Sequence, residues 1–100
     1  MTKITATVNG KHYKIEARNH ADTSDVCAAV STIMCTLDGA IRNNSDAVCV
    51  YSCLESGYAK VEYIADGPLA EEDAAMALIG LMQIREAFPE QIKIEQNIFC

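Results

Sequence analysis

His20 and Cys27 have side chains that together could carry out nucleophilic chemistry. A cysteine thiolate is a strong nucleophile, and an imidazole beside it can hold or transfer a proton. Only six residues separate the two, and Cys27 follows residues typical of a helix start, so a short loop could bring imidazole and thiol together. Unpaired N–H groups around Cys27 and the helix dipole would favour the thiolate and could bind an oxyanion. The pair therefore predicts a Cys–His dyad for acyl transfer; the alternative is a space-filling cysteine and a loop histidine.

The remaining cysteines and histidine are expected to have structural roles. The number of cysteines, five, is odd and no C-x-x-C pair occurs, which favours neither a disulfide framework nor a zinc site. We expect no metal and no organic cofactor. His12 is expected to be a solvated strand residue opposite Thr7 on the polar face. The thiols expected in the core are Cys35, Cys49 and Cys53. Cys100 is expected at a mobile terminus.

A β-hairpin is predicted at the start of the chain and ends shortly before His20. Apolar residues alternate with threonines over residues 4–8, and Asn9-Gly10 is a strong turn signal because both residue types accept positive φ. A two-residue turn here places the apolar side chains of both strands on one face. The expected register pairs Val8 with Lys11, Ala6 with Tyr13 and Ile4 with Ile15.

An amphipathic helix is predicted to carry Cys27. Ser24 or Asp25 is a suitable N-cap, and turn formers at residues 43–46 should end the helix. Cys27 lies at the margin of the apolar stripe, where a side chain is partly accessible. The stripe recurs at steps of three and four residues and consists of Val26, Val30, Ile33, Met34, Leu37, Ala40 and Ile41.

The second half of the chain repeats the pattern of a hairpin and a helix. Residues 47–54 are apolar on both faces, a turn follows, and residues 58–65 alternate, which predicts a second hairpin. Three carboxylates at residues 71–73 should occupy the first turn of a second helix, which ends before Pro89. A last strand is expected over Gln91 to Gln96.

These elements give one domain over residues 1–100 with the order ββαββαβ. We expect an α+β fold in which two helices pack with largely antiparallel sheet layers. The second helix is apolar all round over residues 74–79, so it should be covered on more than one side. A 100-residue domain has limited interior, which predicts a homodimer; a three-layer monomer is the alternative.

The charge balance limits the classes of partner. Eight basic and 14 acidic residues give a formal net charge of -6, so no basic stripe is expected to bind nucleic acid. An acidic surface suits a basic protein partner. The first residues alternate instead of forming an apolar signal segment, and no apolar run approaches the ~20 residues of a membrane span. We therefore expect a cytoplasmic protein without a membrane partner.

The segment around the dyad resembles the ribosomal-processing cysteine proteases, the Prp family of bacteria. Their hallmark is G-H-A, a mobile glycine-rich loop, and then D-[IV]-V-C-A-A-x-S. This chain has His20-Ala21 and, over residues 25–31, DVCAAVS. Length and element order also match. This sequence departs from the hallmark in three ways: Asn19 replaces the glycine before the histidine, the loop is shorter and lacks glycine, and the acid stands one position later. The resemblance is therefore to a phage-type or loop-shortened member.

The resemblance implies a cysteine endopeptidase with His20 and Cys27 as its catalytic dyad and with Asp25 and Ser31 as supporting residues. Such an enzyme removes an N-terminal extension from a ribosomal protein of the large subunit, and phage relatives process structural proteins. Family members also look dimeric. The alternative is a catalytically inactive dimeric binding protein of the same fold, which the short loop favours. A thiol-redox or zinc protein is the weakest hypothesis, because the cysteine spacings fit neither use.

Overall fold

The structure, a computed structural model, describes the backbone of residues 1–99 and the side chains of residues 1–97. Its element order is ββαββαβ, so the expected α+β fold is confirmed. The elements are β1 (Thr2–Asn9), β2 (His12–Arg18), α1 (Ser24–Asn43), β3 (Ala47–Glu55), β4 (Tyr58–Ala65), α2 (Pro68–Ala87) and β5 (Ile92–Phe99).

All five strands of the described chain form one sheet with the order β3-β4-β2-β1-β5. The pairs β1–β2, β2–β4 and β3–β4 are antiparallel, whereas β1 and β5 are parallel. The two helices pack against each other and against the sheet, which gives two layers. The described residues therefore contain no second sheet on the outer side of the helices, and the three-layer arrangement is wrong.

The core lies between the helices and one face of the sheet. Alternate residues of the inner strands point into it, because successive side chains of a strand point to opposite faces. The helices contribute residues spaced by three or four positions. The buried apolar residues are Ile4, Ala6, Ile15, Ala17, Val26, Val30, Met34, Leu37, Ile41, Val61, Tyr63, Ala65, Ala70, Ala74, Ala77, Leu81 and Ile92.

The first hairpin forms as expected, but its register differs by two residues from the predicted one. Val8 pairs with Tyr13, and Asn9 pairs with His12 instead of lying in the turn. Gly10 has a φ of +62° and is the first residue of the two-residue turn. A turn with glycine at that position needs positive φ only there. A shift of two residues keeps each side chain on its face, so the apolar face is unchanged.

Two expectations about the second half and the thiols are wrong. α2 begins at Pro68, so of the three carboxylates only Glu71 lies in its first turn. On the outer side of α2 the described residues place no second sheet. Strand β3 is an edge strand, and its residues, which are apolar on both faces, are largely exposed. For the same reason Cys49 is exposed and Cys53 only partly buried.

Cys35, on α1, is also exposed, whereas Cys100 lies outside the described residues. None of the three thiols expected in the core is therefore a core residue. His12 is partly buried, and it pairs with Asn9 and Ile64 instead of Thr7.

Helix α1 is long and apolar enough, by length and mean hydropathy, to cross a membrane. Core helices of soluble proteins meet the same criteria. The buried residues of α1 recur on one stripe, and the helix packs against β3, β4 and α2. This packing is that of a core helix.

Candidate functional site

The imidazole of His20 and the thiol of Cys27 lie together at one end of the sheet. His20 follows the end of β2, and Cys27 is the fourth residue of α1. Nδ1 of His20 is 3.8 Å from Sγ of Cys27, within hydrogen-bond reach for sulfur. His20 is exposed and Cys27 is partly buried. The structure thus brings the two residues of the expected dyad together, with the thiol accessible.

Backbone groups of the intervening loop hold the sulfur in place. The N–H of Ala21 donates to Sγ of Cys27 at 3.1 Å, and the thiol is 3.7 Å from the carbonyl oxygen of Ala21. A donor aimed at the sulfur stabilises a negative charge there. The same loop that carries His20 therefore also fixes the position of the sulfur.

The N–H of Cys27 is not free, contrary to the expected oxyanion site around this residue. It donates to the carbonyl oxygen of Thr23 at 3.2 Å, because Thr23 is the N-cap and its carbonyl accepts the first bond of the helix. By helix geometry, the amides without an intrahelical acceptor are those of residues 24–26. An oxyanion donor at the helix start would have to come from these.

Gln91 anchors the loop, and sequence reasoning missed this role. Gln91 is 5% exposed, and its Oε1 accepts from both the N–H and the hydroxyl of Thr23 at 3.0 and 3.2 Å. The backbone of Gln91 accepts in turn from the N–H of Thr2. Only its position before an apolar strand could have drawn attention to it, and that signal does not identify a partner 68 residues away.

Asn19 sets the direction in which the chain leaves β2. It has a φ of +68°, which agrees with the tolerance of asparagine for the left-handed region. Its N–H donates to the carbonyl oxygen of Gly57 at 2.8 Å, and its carbonyl oxygen accepts from the hydroxyl of Thr2 at 2.9 Å. These two hydrogen bonds hold the N–H and the carbonyl oxygen of Asn19, and they therefore fix the backbone directly before His20.

The dyad lines a shallow cleft of about 40 Å³. Ser31, one helical turn after Cys27, lines it too, as do Gly57 and Tyr58 from the second hairpin. A neighbouring cavity of about 290 Å³ is lined by apolar and polar residues, and Glu55 is the acidic residue among them. Ser31, Met34, Glu55 and Ala59 line both.

The two residues expected to support the dyad lie in different surroundings. Ser31 is exposed on the wall of the cleft. Asp25 is exposed in the first turn of α1 and is not part of the cleft wall. At that place a carboxylate favours the positive end of the helix dipole instead of touching the dyad.

A small polar network lies next to the cleft on β2 and β4. Oε1 of Glu16 accepts from Nε of Arg18 at 2.8 Å, and Oε2 accepts from the hydroxyl of Tyr58 at 2.7 Å. Burial alone would raise the pKa of the Glu16 carboxyl, but these hydrogen bonds and nearby positive charge hold that pKa below its ordinary value. The bond to Glu16 also raises the pKa of Tyr58 to about 12. Glu16 is therefore an ionised acceptor at neutral pH.

Among the described residues, no three His, Cys, Asp or Glu side chains cluster as metal ligands do. No family model matches the chain, and no curated protein is significantly similar to it in sequence.

Solved structures do share its fold. The ribosomal processing protease Prp from S. aureus, with a covalently linked product peptide, superposes with a TM-score of 0.83 at 20% identity, covering 97% of this chain and 100% of that chain. The same protease with a substrate peptide gives a TM-score of 0.76 at 18% identity and the same coverage. SMU.848 from Streptococcus mutans gives 0.80 at 23% identity, covering 98% of each chain. The chain therefore has a Prp-like fold, as the sequence resemblance to that family implied.

Proposed function

We propose that this protein is a cysteine endopeptidase that uses Cys27 as nucleophile and His20 as its proton-transfer partner. Its substrate would be a basic ribosomal protein of the large subunit, or a phage structural protein, from which it removes an N-terminal extension. The observation that carries the proposal is the 3.8 Å contact between Nδ1 of His20 and Sγ of Cys27 in an open cleft of a Prp-like fold.

The geometry suggests which chemical step Cys27 and His20 would each carry out. The Cys27 thiolate attacks the scissile carbonyl, and the proton on His20 passes to the leaving amine as the C–N bond breaks. Water then hydrolyses the thioester, with His20 accepting a proton from it. No metal or organic cofactor takes part in these steps.

The shape of the cleft supports a peptide substrate over a small molecule. A cleft of about 40 Å³ is far below the ~300–1,000 Å³ of a small-molecule site. An extended chain could instead lie across it and place one side chain in the adjacent cavity of about 290 Å³. The net charge of -6 suits a basic protein.

The test is incubation with a ribosomal protein that carries its N-terminal extension, followed by mass spectrometry for a new N-terminus. We expect cleavage by the unaltered protein and none by Cys27→Ala. The matched control is Cys49→Ala, which removes an exposed thiol of the edge strand β3 and should cleave normally. Cleavage by Cys27→Ala would overturn the assignment of the nucleophile.

The second candidate is a catalytically inactive dimeric binding protein with the same fold. It is favoured by the loop between His20 and Cys27, which has no glycine and is tied to the start of β5 by Gln91. Such a protein would bind the extended ribosomal protein, as titration calorimetry would show, while no candidate substrate acquires a new N-terminus.

We also propose that the protein is a cytoplasmic homodimer, joined through the outer side of the helices. Leu69, Met76 and Ile79 of α2 are 59%, 70% and 54% exposed, which leaves an apolar surface on a helix without a second sheet above it. Next to it, a groove of about 220 Å³ between the helices is lined mainly by apolar residues.

Sedimentation equilibrium tests the dimer. We expect about twice the chain mass of 10.9 kDa at micromolar concentration, and a monomer for Met76→Glu. Val48→Glu, which places the same charge on the exposed edge strand β3, should stay dimeric. A mass of 10.9 kDa for the unaltered protein would exclude the dimer.

A further inference from the structure

The turn between β3 and β4 packs directly against the imidazole of His20. Gly57 in this turn has a φ of +77°. A Cβ built on Gly57 would lie 2.9 Å from Nε2 of His20 and 3.2 Å from Cδ2. Ring atoms and a real Cβ do not approach so closely. The imidazole can therefore occupy its position only because residue 57 has no side chain.

The ring is held between this turn and the thiol. Nδ1 is on the side of Cys27, 3.8 Å from Sγ, whereas Nε2 is on the side of Gly57. The same glycine also accepts the hydrogen bond from the N–H of Asn19. One residue of the second hairpin thus contacts both the ring and the backbone that carries it.

We propose that Gly57 is a positioning residue for His20, which directs Nδ1 toward Cys27 by offering the ring a flat backbone surface. The proposal rests on the proposed Cys–His dyad. A side chain at position 57 would push the ring away from the turn. Because His20 is exposed, the ring would rotate into solvent. The fold would then persist while the contact between Nδ1 and Sγ is lost.

Gly10 provides a matched control in the same sheet. It also lies in a two-residue hairpin turn with a positive φ, +62°. A Cβ built on Gly10 meets no described heavy atom within 4 Å. Alanine at position 10 or 57 therefore places a Cβ on a residue with positive φ, but only alanine at 57 touches His20.

The experiment measures the alkylation rate of Cys27 by iodoacetamide as a function of pH, with Cys35 of the same molecule as internal standard. In the unaltered protein Cys27 should react faster than Cys35 at neutral pH, and His20→Ala should remove this advantage. Gly57→Ala should lower the Cys27 rate about tenfold, the size expected when an opposite charge beside an ionisable group is withdrawn. Gly10→Ala should leave the profile unchanged.

A double variant separates positioning from general damage. If Gly57 acts through His20, adding Gly57→Ala to His20→Ala has no further effect on the Cys27 rate. Gly57→Asn, which tolerates positive φ but carries a Cβ, gives the same test if the alanine variant does not fold.

The outcomes distinguish this proposal from the proposed function. A Gly57→Ala profile that matches the unaltered protein, while His20→Ala changes it, overturns the positioning role alone. A further loss from Gly57→Ala in the His20→Ala background also overturns it. A His20→Ala profile identical to that of the unaltered protein overturns both the dyad and the positioning role.

Discussion

His12 and His20 lie at opposite ends of β2 and have different neighbours. Nε2 of His12 is 2.5 Å from Oε2 of Glu62 on the adjacent strand β4. Nδ1 of His20 is 3.8 Å from Sγ of Cys27, where the chain has left the sheet. The first contact is a cross-strand pair between partly exposed groups, which contributes little to stability. The second joins the proposed base and the proposed nucleophile.

The difference arises from how each histidine is held. His12 is paired with residues of both β1 and β4, so the sheet fixes its backbone and leaves its side chain beside a carboxylate. His20 follows a residue with positive φ, and its ring rests on a glycine instead of a side chain. Placement just beyond a strand end lets a rigid element deliver the imidazole to the thiol while the side chain stays exposed.

The largest expected effect is a difference in cleavage between alanine variants of the two histidines. His20→Ala should lower kcat/KM by ~10²–10⁴-fold, the usual loss for a general acid–base. His12→Ala should leave kcat/KM unchanged, because His12 lies at the far end of β2. Initial rates on an extended substrate peptide measure both. A larger loss for His12→Ala would show that His12 is the partner of the thiol.

Sequence patterns predicted the elements and the pair His20 and Cys27, since these depend on neighbouring residues. Alternation defined β4, and the apolar stripe defined α1 almost to its ends. The helix start and the short loop were enough to place imidazole and thiol near one another. A contact between residues seven positions apart is accessible to this kind of reasoning.

Features that depend on distant contacts could not be predicted. The exposure of Cys49 follows from β3 being an edge strand, and strand order is not a local property. The contacts of Gln91 with Thr23 and of Gly57 with His20 join residues far apart in the chain. The hairpin register failed for a local reason, since Asn9-Gly10 and Gly10-Lys11 are both acceptable turns.

An intermediate effect is expected from Gln91→Ala, which removes the anchor of the site loop without touching the dyad. The N–H and hydroxyl of Thr23 lose their acceptor, so unfolding free energy should fall by about 1–3 kcal/mol. The control Gln83→Ala truncates an exposed glutamine of α2 and should have little effect. Urea unfolding measures both, and equal stabilities would contradict the anchoring role of Gln91.

The smallest expected effect is a change in thermal stability on Tyr58→Phe, a substitution beside the cleft. The size of this change should depend on pH. The variant loses the hydrogen bond from the Tyr58 hydroxyl to the ionised carboxylate of Glu16. Because the folded protein holds the pKa of Glu16 below its ordinary value, this carboxylate stabilises the fold above its unfolded pKa. The contribution is lost as the pH falls through the lower, folded pKa. The thermal midpoint of Tyr58→Phe should therefore lie below that of the unaltered protein at neutral pH, and the two midpoints should converge in acid.

On the alkaline side the pKa of Tyr58 is raised to about 12, so the hydrogen bond between Tyr58 and Glu16 also weakens as the pH rises toward that value. Thermal unfolding followed by circular dichroism across this range gives both profiles. A constant difference down to acidic pH would show that the phenol contributes by packing and not through the ionised Glu16.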